Sequence, residues 1–174
     1  FRSMKDIVEH VIKVHGAQLI DYISGPLANP EAADRYRAFL EVMSDNSLVA
    51  DMDRVFFGEF RPSDGKKAVE KFIRSGKPRP EAIICANDTM AMTVCEELGE
   101  MGLKVPEDIG LVSFDNTYIT TLLTPHLTSV DYDYDSFGEK MIALAIDRIE
   151  GKETPDITYI SSEVIVRDSC RTIR

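Results

Sequence analysis

Residues 82–90, AIICANDTM, carry a short apolar run directly into an Asn–Asp pair. An apolar run of this length, after which a pattern of helical spacing restarts, predicts a buried strand that leads straight into a helix. Asn and Asp at such a junction are suited to capping, because their side chains accept the unpaired amide hydrogens of the first turn. One of the two can cap the helix while the other faces outward, where it could contact a ligand.

Strand-like and helix-like patterns alternate along the rest of the chain. Short apolar runs at 19–23, 55–57 and 109–114 each end in a turn, and the tail at 158–166 alternates as a strand does. Strands separated by helices of about 10–15 residues are typical of right-handed crossovers on a parallel sheet. We therefore predict an α/β fold, with a parallel sheet flanked by helices.

Polar residues follow the predicted strands at the same end. Ser24 follows the first strand, Asn87 and Asp88 the third, and Asp115 and Asn116 the fourth. In open parallel sheets, ligands bind outside the carboxyl ends of the strands, in a crevice between loops. This shared position indicates a binding site more strongly than any one of these residues does.

The last predicted helix opens at a capping-box pair, Ser136 and Glu139. Its apolar residues share one face, which we expect to point inward: Phe137, Met141, Leu144 and Ala145.

Alternating aspartates just before this helix, in VDYDYDS at 130–136, suggest a calcium loop. The Gly and the distal Glu that such a loop needs are missing at the required spacing. An extended segment would instead place Asp131, Asp133 and Asp135 on one solvated face, with Tyr132 free to point toward a cleft.

The composition is that of a soluble globular protein. With 174 residues, 44% apolar and 29% charged, the chain is long enough for one domain or two small lobes. No apolar run approaches the roughly 18 residues that a membrane-spanning helix needs, so no membrane segment is predicted. The cysteines, Cys85, Cys95 and Cys170, have neither pairing nor zinc-like spacing, which favours a reducing, cytoplasmic location.

The formal charge of -10 is unevenly distributed. Residues 1–80 carry 13 Lys and Arg against 12 Asp and Glu, whereas residues 81–174 carry 7 against 18, a net -11. The second part would repel nucleic-acid phosphates, so we expect no DNA binding by this segment itself.

The residues that catalysis or cofactor binding would need do not occur in a suitable pattern. The ten glycines lie at turns and helix ends rather than in a phosphate-binding loop. The three histidines have no metal-ligand spacing, and His10 and His15 are expected to be solvated. No Ser or Cys occupies a nucleophile elbow. We predict no enzyme activity, no cofactor and no metal site.

Several adjoining motifs resemble one family. The stretch AIICANDTMAMTVCEELGEMGLKVPEDIGLVSFDN at 82–116, followed by LTPHLTSVDYDYDSFGEKM at 123–141, resembles the effector-binding domain of the LacI–GalR transcriptional regulators. Upstream, ISGPLANPEAADRYRAF at 23–39 is similar to that family's G-P turn and the helix after it. The resemblance implies a fold like that of periplasmic sugar-binding proteins, in which two α/β lobes close over a small ligand.

The resemblance also implies which residues contact that ligand. By position, Arg35, Asn87 and Asp115 match hydrogen-bonding contacts to effector hydroxyls. Phe60 matches an aromatic residue that packs on the ligand, and Tyr132 falls at a polar contact near the hinge. These residue types suit a sugar, because amides, carboxylates and guanidinium bond its hydroxyls while aromatic rings cover its apolar faces.

The same resemblance divides the chain at residue 78. Residues 1–78 would form the remainder of an N-terminal lobe and the crossover, and residues 79–174 the C-terminal lobe with hinge-crossing segments. With Asn87 assigned to the ligand, the helix cap falls to Asp88. Because the first lobe would be incomplete, we expect a fragment of a longer polypeptide, or a second copy that covers its apolar edges.

The function implied is a non-enzymatic sensor that binds a sugar-like effector as a homodimer and reaches DNA only through a preceding N-terminal domain. Ser113 stands where the family usually has Gly, and Tyr132 where Gln or another polar residue is common, which leaves the ligand open. The same domain also occurs in signalling proteins such as diguanylate cyclases and histidine kinases. Two further alternatives are an α/β enzyme using Asp88 or Asp115 as acid or base, and a dimerisation module with an empty cleft.

Overall fold

The structure, a computed structural model, describes residues 1–74 and 76–170. Helices and strands alternate along these residues, as predicted. In chain order they are α1 (Arg2–Lys13), β1 (Ile20–Ser24), α2 (Pro30–Asp45), β2 (Val55–Phe57), α3 (Pro62–Ile73), β3 (Ala82–Cys85), α4 (Asp88–Glu100), β4 (Gly110–Phe114), α5 (Ile119–Leu122), β5 (Thr128–Tyr132), α6 (Tyr134–Ile149) and β6 (Ser162–Ile165). A short 3-10 helix, Met52–Arg54, precedes β2. Over the described ranges, no helix has the length and apolar character needed to cross a membrane.

The strands form one six-stranded sheet in the order β2-β1-β3-β4-β5-β6. β1 to β5 run parallel, and β6 pairs antiparallel with β5. α1 and α2 pack on one face of the sheet, and α3 and α4 on the other. The predicted α/β fold, a parallel sheet with flanking helices, is confirmed.

β3, the strand of the AIICANDTM stretch, is buried on both faces. Ile84 packs in the apolar cluster that contains α1 and α2, whereas Ile83 and Cys85 pack in the cluster of α3 and α4. Burial on both faces explains why this run is apolar without alternation. Cys85 is fully buried here as a small core residue.

The predicted boundary at residue 78 falls inside this sheet. β1 and β2 precede that residue, β3 to β6 follow it, and β1 pairs directly with both β2 and β3. Both apolar clusters also combine residues from the two sides of the boundary. The assignment of 1–78 and 79–174 to different lobes is therefore corrected, because β1 needs β3 to pair its second edge. Residues 171–174 of the second range lie outside the described residues.

α6 differs from the other long helices because none of its residues is buried. It begins at Tyr134, where Asp133 caps it by accepting a hydrogen bond from the Ser136 amide at 2.9 Å. The predicted start at a Ser136–Glu139 capping box is therefore wrong by three residues, because the N-cap is Asp133. The face expected to point inward is not buried by the described chain: Phe137, Met141 and Ala145 are exposed, and Leu144 is half-buried. Other large apolar side chains of the helix are exposed as well: Ile142, Ile146 and Ile149.

Three smaller expectations also need correction. β5 ends at Tyr132 and α6 starts two residues later, so the alternation of residues 130–136 is not continued as extended chain. β6 occupies only Ser162–Ile165 of the predicted 158–166. His15 is 4% exposed rather than solvated, because its ring packs directly against Gly110. A Cβ added at Gly110 would lie only 2.5 Å from the His15 Nε2.

Candidate functional site

Arg35 lies buried at the carboxyl ends of the central strands of the sheet. It lies in α2, whose first turn is capped by the Asn29 side chain, and only 6% of the residue is exposed. Its Nη1 donates to the Ala86 carbonyl at 2.8 Å, directly beyond β3. Its guanidinium also stacks on the Phe114 ring, 4.3 Å from the centroid, at the end of β4. α2 thus holds the cation across the ends of both strands.

Two further partners fix the other end of the guanidinium. Nη2 donates to the Glu31 carboxylate at 2.5 Å and to the Tyr132 hydroxyl at 3.1 Å. Burial lowers the pKa of Arg35, but Tyr132, Glu31 and Asp115 outweigh that effect and raise the pKa overall. The group is therefore a fixed, permanently charged fork.

A cavity of about 440 Å³ opens beside this fork. Its walls combine charged and aromatic side chains with one aliphatic residue: Glu31, Arg35, Asp115, Tyr132, Tyr134, Phe137 and Ile160. The structure therefore brings three of the predicted site residues, Arg35, Asp115 and Tyr132, around one cavity. Its size and its apolar walls with few polar groups are typical of small-molecule sites.

Asp115 supplies the cavity with an uncommitted carboxylate. It follows β4 with a φ of 97°, and its side chain accepts no hydrogen bond from the described residues. Burial raises the pKa of Asp115 to about 6, although the Arg35 cation opposes the shift. A partly buried carboxylate without a donor is a group that a ligand hydroxyl or amine can satisfy.

Tyr132 contributes a hydroxyl that still has a proton to donate. The oxygen accepts from Arg35, and burial raises the pKa of this phenol to about 12. Its ring meets that of Tyr134 edge to face, with centroids 6.1 Å apart. These two aromatic residues form a corner of the cavity.

Asn87 caps α4, whereas the prediction assigned the cap to Asp88 and a ligand contact to Asn87. Its Oδ1 accepts from the Met90 amide at 2.9 Å and from the Thr89 hydroxyl at 3.0 Å. Its Nδ2 donates to the Phe60 carbonyl at 3.1 Å. Asn87 thus ties the start of α4 to the loop after β2, and it lies next to the Ala86 carbonyl that binds Arg35 rather than in the cavity wall.

Asp88, predicted to cap α4, is instead a buried hydrogen-bond acceptor. It is 1% exposed, and its carboxylate accepts from the side chains of Ser113 and Ser129, the latter at 2.9 Å. The Thr117 amide and hydroxyl also donate to it, at 2.6 and 2.8 Å. This network fastens the turn that carries Asp115 to the start of α4. It also gives Ser113, which departs from the family pattern, a defined partner.

Phe60 packs against the backbone beside the cavity. It has a φ of 59°, and its ring lies so close to Gly25 that a Cβ there would be 2.1 Å from the ring Cζ. The loops after β1 and β2 are therefore pressed together, and only a glycine fits at residue 25. Phe60 is joined to Asn87 by a hydrogen bond but does not line the cavity described above.

The other two polar residues at this edge are Ser24, which is buried, and Asn116, which is hydrogen-bonded to another side chain. Ser24 is fully buried, and its hydroxyl has no hydrogen-bond partner among the described residues. The Asn116 side chain accepts from Arg167 at 2.7 Å.

Glu31, Tyr134, Phe137 and Ile160 are cavity residues that sequence reasoning missed. Glu31 was detectable, because it precedes Arg35 by four positions on a helix and such pairs meet on one face. Asp88 was detectable from Ser113 and Ser129, two hydroxyls in register on buried strands that require a partner.

A larger groove of about 810 Å³ lies at the opposite edge, before β4 and β5. It is formed by residues 103–107, Thr124, Pro125 and 166–168 among others, and contains none of the predicted site residues. Because ligands of open parallel sheets bind outside the carboxyl ends, the cavity at Arg35 is the stronger candidate.

Comparison with known proteins identifies the family of this fold. Residues 8–170 match the periplasmic binding protein-like domain. The chain belongs to this family. It is 34% identical over 161 residues to the HTH-type transcriptional repressor PurR of Histophilus somni (strain 129Pt), covering 91% of this chain and 48% of that protein. It is 33% identical over 155 residues to PurR of Escherichia coli O1:K1 / APEC, covering 88% of this chain and 45% of the relative.

Solved structures of LacI-type regulators share the fold of this family member. The Escherichia coli transcriptional repressor ascG superposes with a TM-score of 0.88 at 23% identity, covering 98% of this chain and 62% of that one. The transcriptional regulator CelR in complex with cellobiose superposes with a TM-score of 0.89 at 25% identity, covering 97% and 51%.

These comparisons confirm the resemblance to the LacI-type effector-binding domain. The curated relatives are named as transcriptional repressors, which agrees with the expectation of a protein that is not an enzyme. The chain spans about half the length of the curated relatives it matches, 48% in one case.

Proposed function

We propose that this chain is the ligand-sensing part of a LacI-type transcriptional regulator and that it binds a sugar-like effector in the cavity beside Arg35. The observation that carries the proposal is the unpaired Asp115 carboxylate in a cavity walled by a fixed guanidinium and by aromatic rings. Such a site suits a ligand with hydrogen-bond donors and apolar faces. The cellobiose complex of CelR, which has the same fold, supports a sugar.

Each predicted residue has a role in this proposal that follows from its contacts. Asp115 would accept from ligand hydroxyls, and Tyr132 would donate its remaining proton. Of its five N–H groups, Arg35 uses three for Ala86, Glu31 and Tyr132, so two are left for the ligand.

Asn87 and Phe60 would act at the rim of the cavity. Asn87 has one further amide hydrogen beyond its bond to the Phe60 carbonyl, and the half-buried Phe60 ring offers an apolar face. Both are proposed as ligand contacts once a second lobe closes on this edge.

The exposed face of α6 supports the presence of that second lobe. In this proposal the six-stranded sheet with α1 to α4 is one lobe, and α6 packs with residues of the other lobe, which the longer polypeptide would supply. Effector binding between the lobes would shift their closure, and a preceding DNA-binding domain would respond. We propose a cytoplasmic homodimer, since the relatives are repressors that act on DNA.

Thermal-shift screening with mono- and disaccharides, followed by calorimetry on the sugar that stabilises most, tests the proposal. Asp115→Ala and Asn87→Ala should each weaken binding about 10-fold or more, since each removes a hydrogen bond that is worth about 1.5 kcal/mol. Asp34→Ala, an exposed aspartate on α2 paired with Arg37, is the matched control and should leave affinity unchanged. Turnover of the sugar, or equal affinity in all variants, would contradict the proposal.

A further inference from the structure

The charge of the cavity is negative although its most buried charged group is a cation. Arg35 is 6% exposed and faces the carboxylates of Glu31 and Asp115, which both line the cavity. Glu31 is bonded to the guanidinium at 2.5 Å, so this pair is already neutralised. Asp115 then remains as an additional negative charge with no donor among the described residues.

Carboxylates outside the cavity wall add to the negative charge of the cavity. After burial, the next three causes that raise the pKa of Tyr134 are all carboxylates, those of Asp115, Asp131 and Asp88, and Arg35 opposes them only as the last contribution. Asp131 also stands directly opposite Glu163 in the β5–β6 pair. An anionic ligand entering this cavity would therefore meet repulsion, because the one cation among its described lining residues, Arg35, is already paired with Glu31.

Aromatic rings complete the environment. Tyr132 and Tyr134 form a corner with their planes at 71°, and Phe137 lines the same space. The faces of such rings attract ammonium groups, and carboxylates beside them strengthen the attraction. A neutral sugar would meet the carboxylates only through hydroxyl hydrogen bonds, whereas a cation would gain in addition from their charge and from the ring faces.

We infer that the effector presents a positively charged amino or ammonium group to Asp115, Glu31 and the rings of Tyr132, Tyr134 and Phe137. Sugar-like effectors with a phosphate or carboxylate at this end are rejected by the same carboxylates. This inference rests on the proposed function, because the occupant of the cavity is taken to be the effector.

The local charge can be measured without knowing the effector. The chain contains no tryptophan, so Phe137→Trp places a single fluorophore in the cavity wall, and Leu122→Trp places one on α5, where the side chain is 72% exposed. Quenching by caesium and by iodide is measured for each, normalised to neutral acrylamide. The caesium-to-iodide ratio should be about threefold higher or more for Phe137→Trp than for Leu122→Trp, because a cleft of one charge sign concentrates counter-ions.

Two variants connect this signal to the named carboxylates. Adding Glu31→Gln and Asp115→Asn to Phe137→Trp should bring the ratio down to that of Leu122→Trp. Adding Asp34→Asn, which removes one carboxylate from the same helix outside the cavity, should leave the ratio high. An equal ratio at the two positions, or one unaffected by loss of both cavity carboxylates, overturns the inference.

A matched ligand set separates this inference from the proposed function. Glucosamine should raise the Tm of the chain more than neutral N-acetylglucosamine, and glucuronate least. A larger shift with the neutral or the acidic sugar contradicts the inference while the proposed function stands. If none of the three sugars shifts the Tm, the quenching ratio decides.

Discussion

The sheet body, which is β1 to β5 with α1 to α4, and α6 carry equally regular apolar patterns but differ in what covers them. In the sheet body, β3 is buried on both faces and α4 buries its apolar face against the sheet, whereas Met141 and Ile142 of α6 are 55% and 64% exposed. An amphipathic pattern therefore specifies a helix and the face that it will bury, but burial itself depends on a partner from elsewhere. An exposed apolar face of this kind is typical of an interaction surface.

The largest contrast between the two regions should come from their aspartates. Asp88→Ala in the sheet body removes the acceptor for Ser113, Ser129 and Thr117, and should lower the free energy of unfolding by about 3–5 kcal/mol. Asp135→Ala, in the exposed first turn of α6, should cost under about 1 kcal/mol. Urea denaturation of both variants checks the contrast, and equal losses would show that the Asp88 network is not structural.

Truncation of matched isoleucines should give the next largest contrast. Ile84→Ala opens a cavity in a fully buried strand and should cost about 2–4 kcal/mol. Ile142→Ala should cost about 0.5 kcal/mol or less in the isolated chain, because the side chain is mostly exposed. The same denaturation measurement applies. A large loss for Ile142→Ala would mean that a second copy already covers α6.

Self-association through α6 is a smaller effect. At high concentration the exposed face should favour association, and Ile142→Glu with Ile146→Glu should shift the sedimentation profile toward the monomer. Lys140→Glu introduces the same charge on the same helix and is the control. A monodisperse monomer with cooperative unfolding before any substitution would refute the expectation that this face needs cover.

The smallest predicted effect concerns pH. The folded pKa of Asp115 is about 6, above the ordinary 3.8, so its contribution to stability is fully present below pH 3.8 and is lost as the pH rises through 6. Asp115→Asn should therefore be more stable than the parent chain at pH 8 by about 0.5–1 kcal/mol, a value reduced for partial exposure. The difference should shrink as the pH falls through 6 and should vanish only below pH 3.8.

Comparing Asp115→Asn with the parent chain isolates the contribution of Asp115 to the pH dependence of stability. Asp21, with a folded pKa also raised to about 6 by burial, changes stability in the same direction, whereas His10, with a lowered pKa, changes it in the opposite direction. Both are common to the two proteins and cancel in the difference. A stability difference that stays constant between pH 5 and 8 would show that Asp115 is not desolvated.

The fold was largely predictable because local pattern determines it. Uninterrupted apolar runs such as 82–86 identify strands buried on both faces, and glycines such as Gly102, with a φ of 74°, mark helix ends. The lobe boundary was not predictable, because strand order is set by pairing between distant segments. β1 lies beside β3 rather than at the edge of another sheet, and no local signal at residue 78 shows this.

Three of the seven residues that line the candidate cavity were predictable from the sequence. Arg35, Asp115 and Tyr132 do meet around a cavity, as their positions after the strands indicate. Asn87 takes the capping role expected of Asp88, and Asp88 is a buried acceptor, neither the cap nor a ligand contact. Both side chains can cap, and only the donors on β4 and β5 decide which one turns inward. Those donors, Ser113 and Ser129, lie 25 and 41 positions away from Asp88.

Hydrogen–deuterium exchange, measured with and without the sugar or amino sugar that raises the Tm most, locates the effector site. We expect the ligand to slow exchange at residues 115–117 and 132–137, which contain lining residues of the cavity, and at residues 86–90, which follow the Ala86 carbonyl bound by Arg35. The backbone amides of residues 103–105, Glu107 and Thr124, in the larger groove at the opposite edge, should exchange at unchanged rates. Slowed exchange confined to that groove would contradict the assignment of the effector site to Arg35, Asp115 and Tyr132.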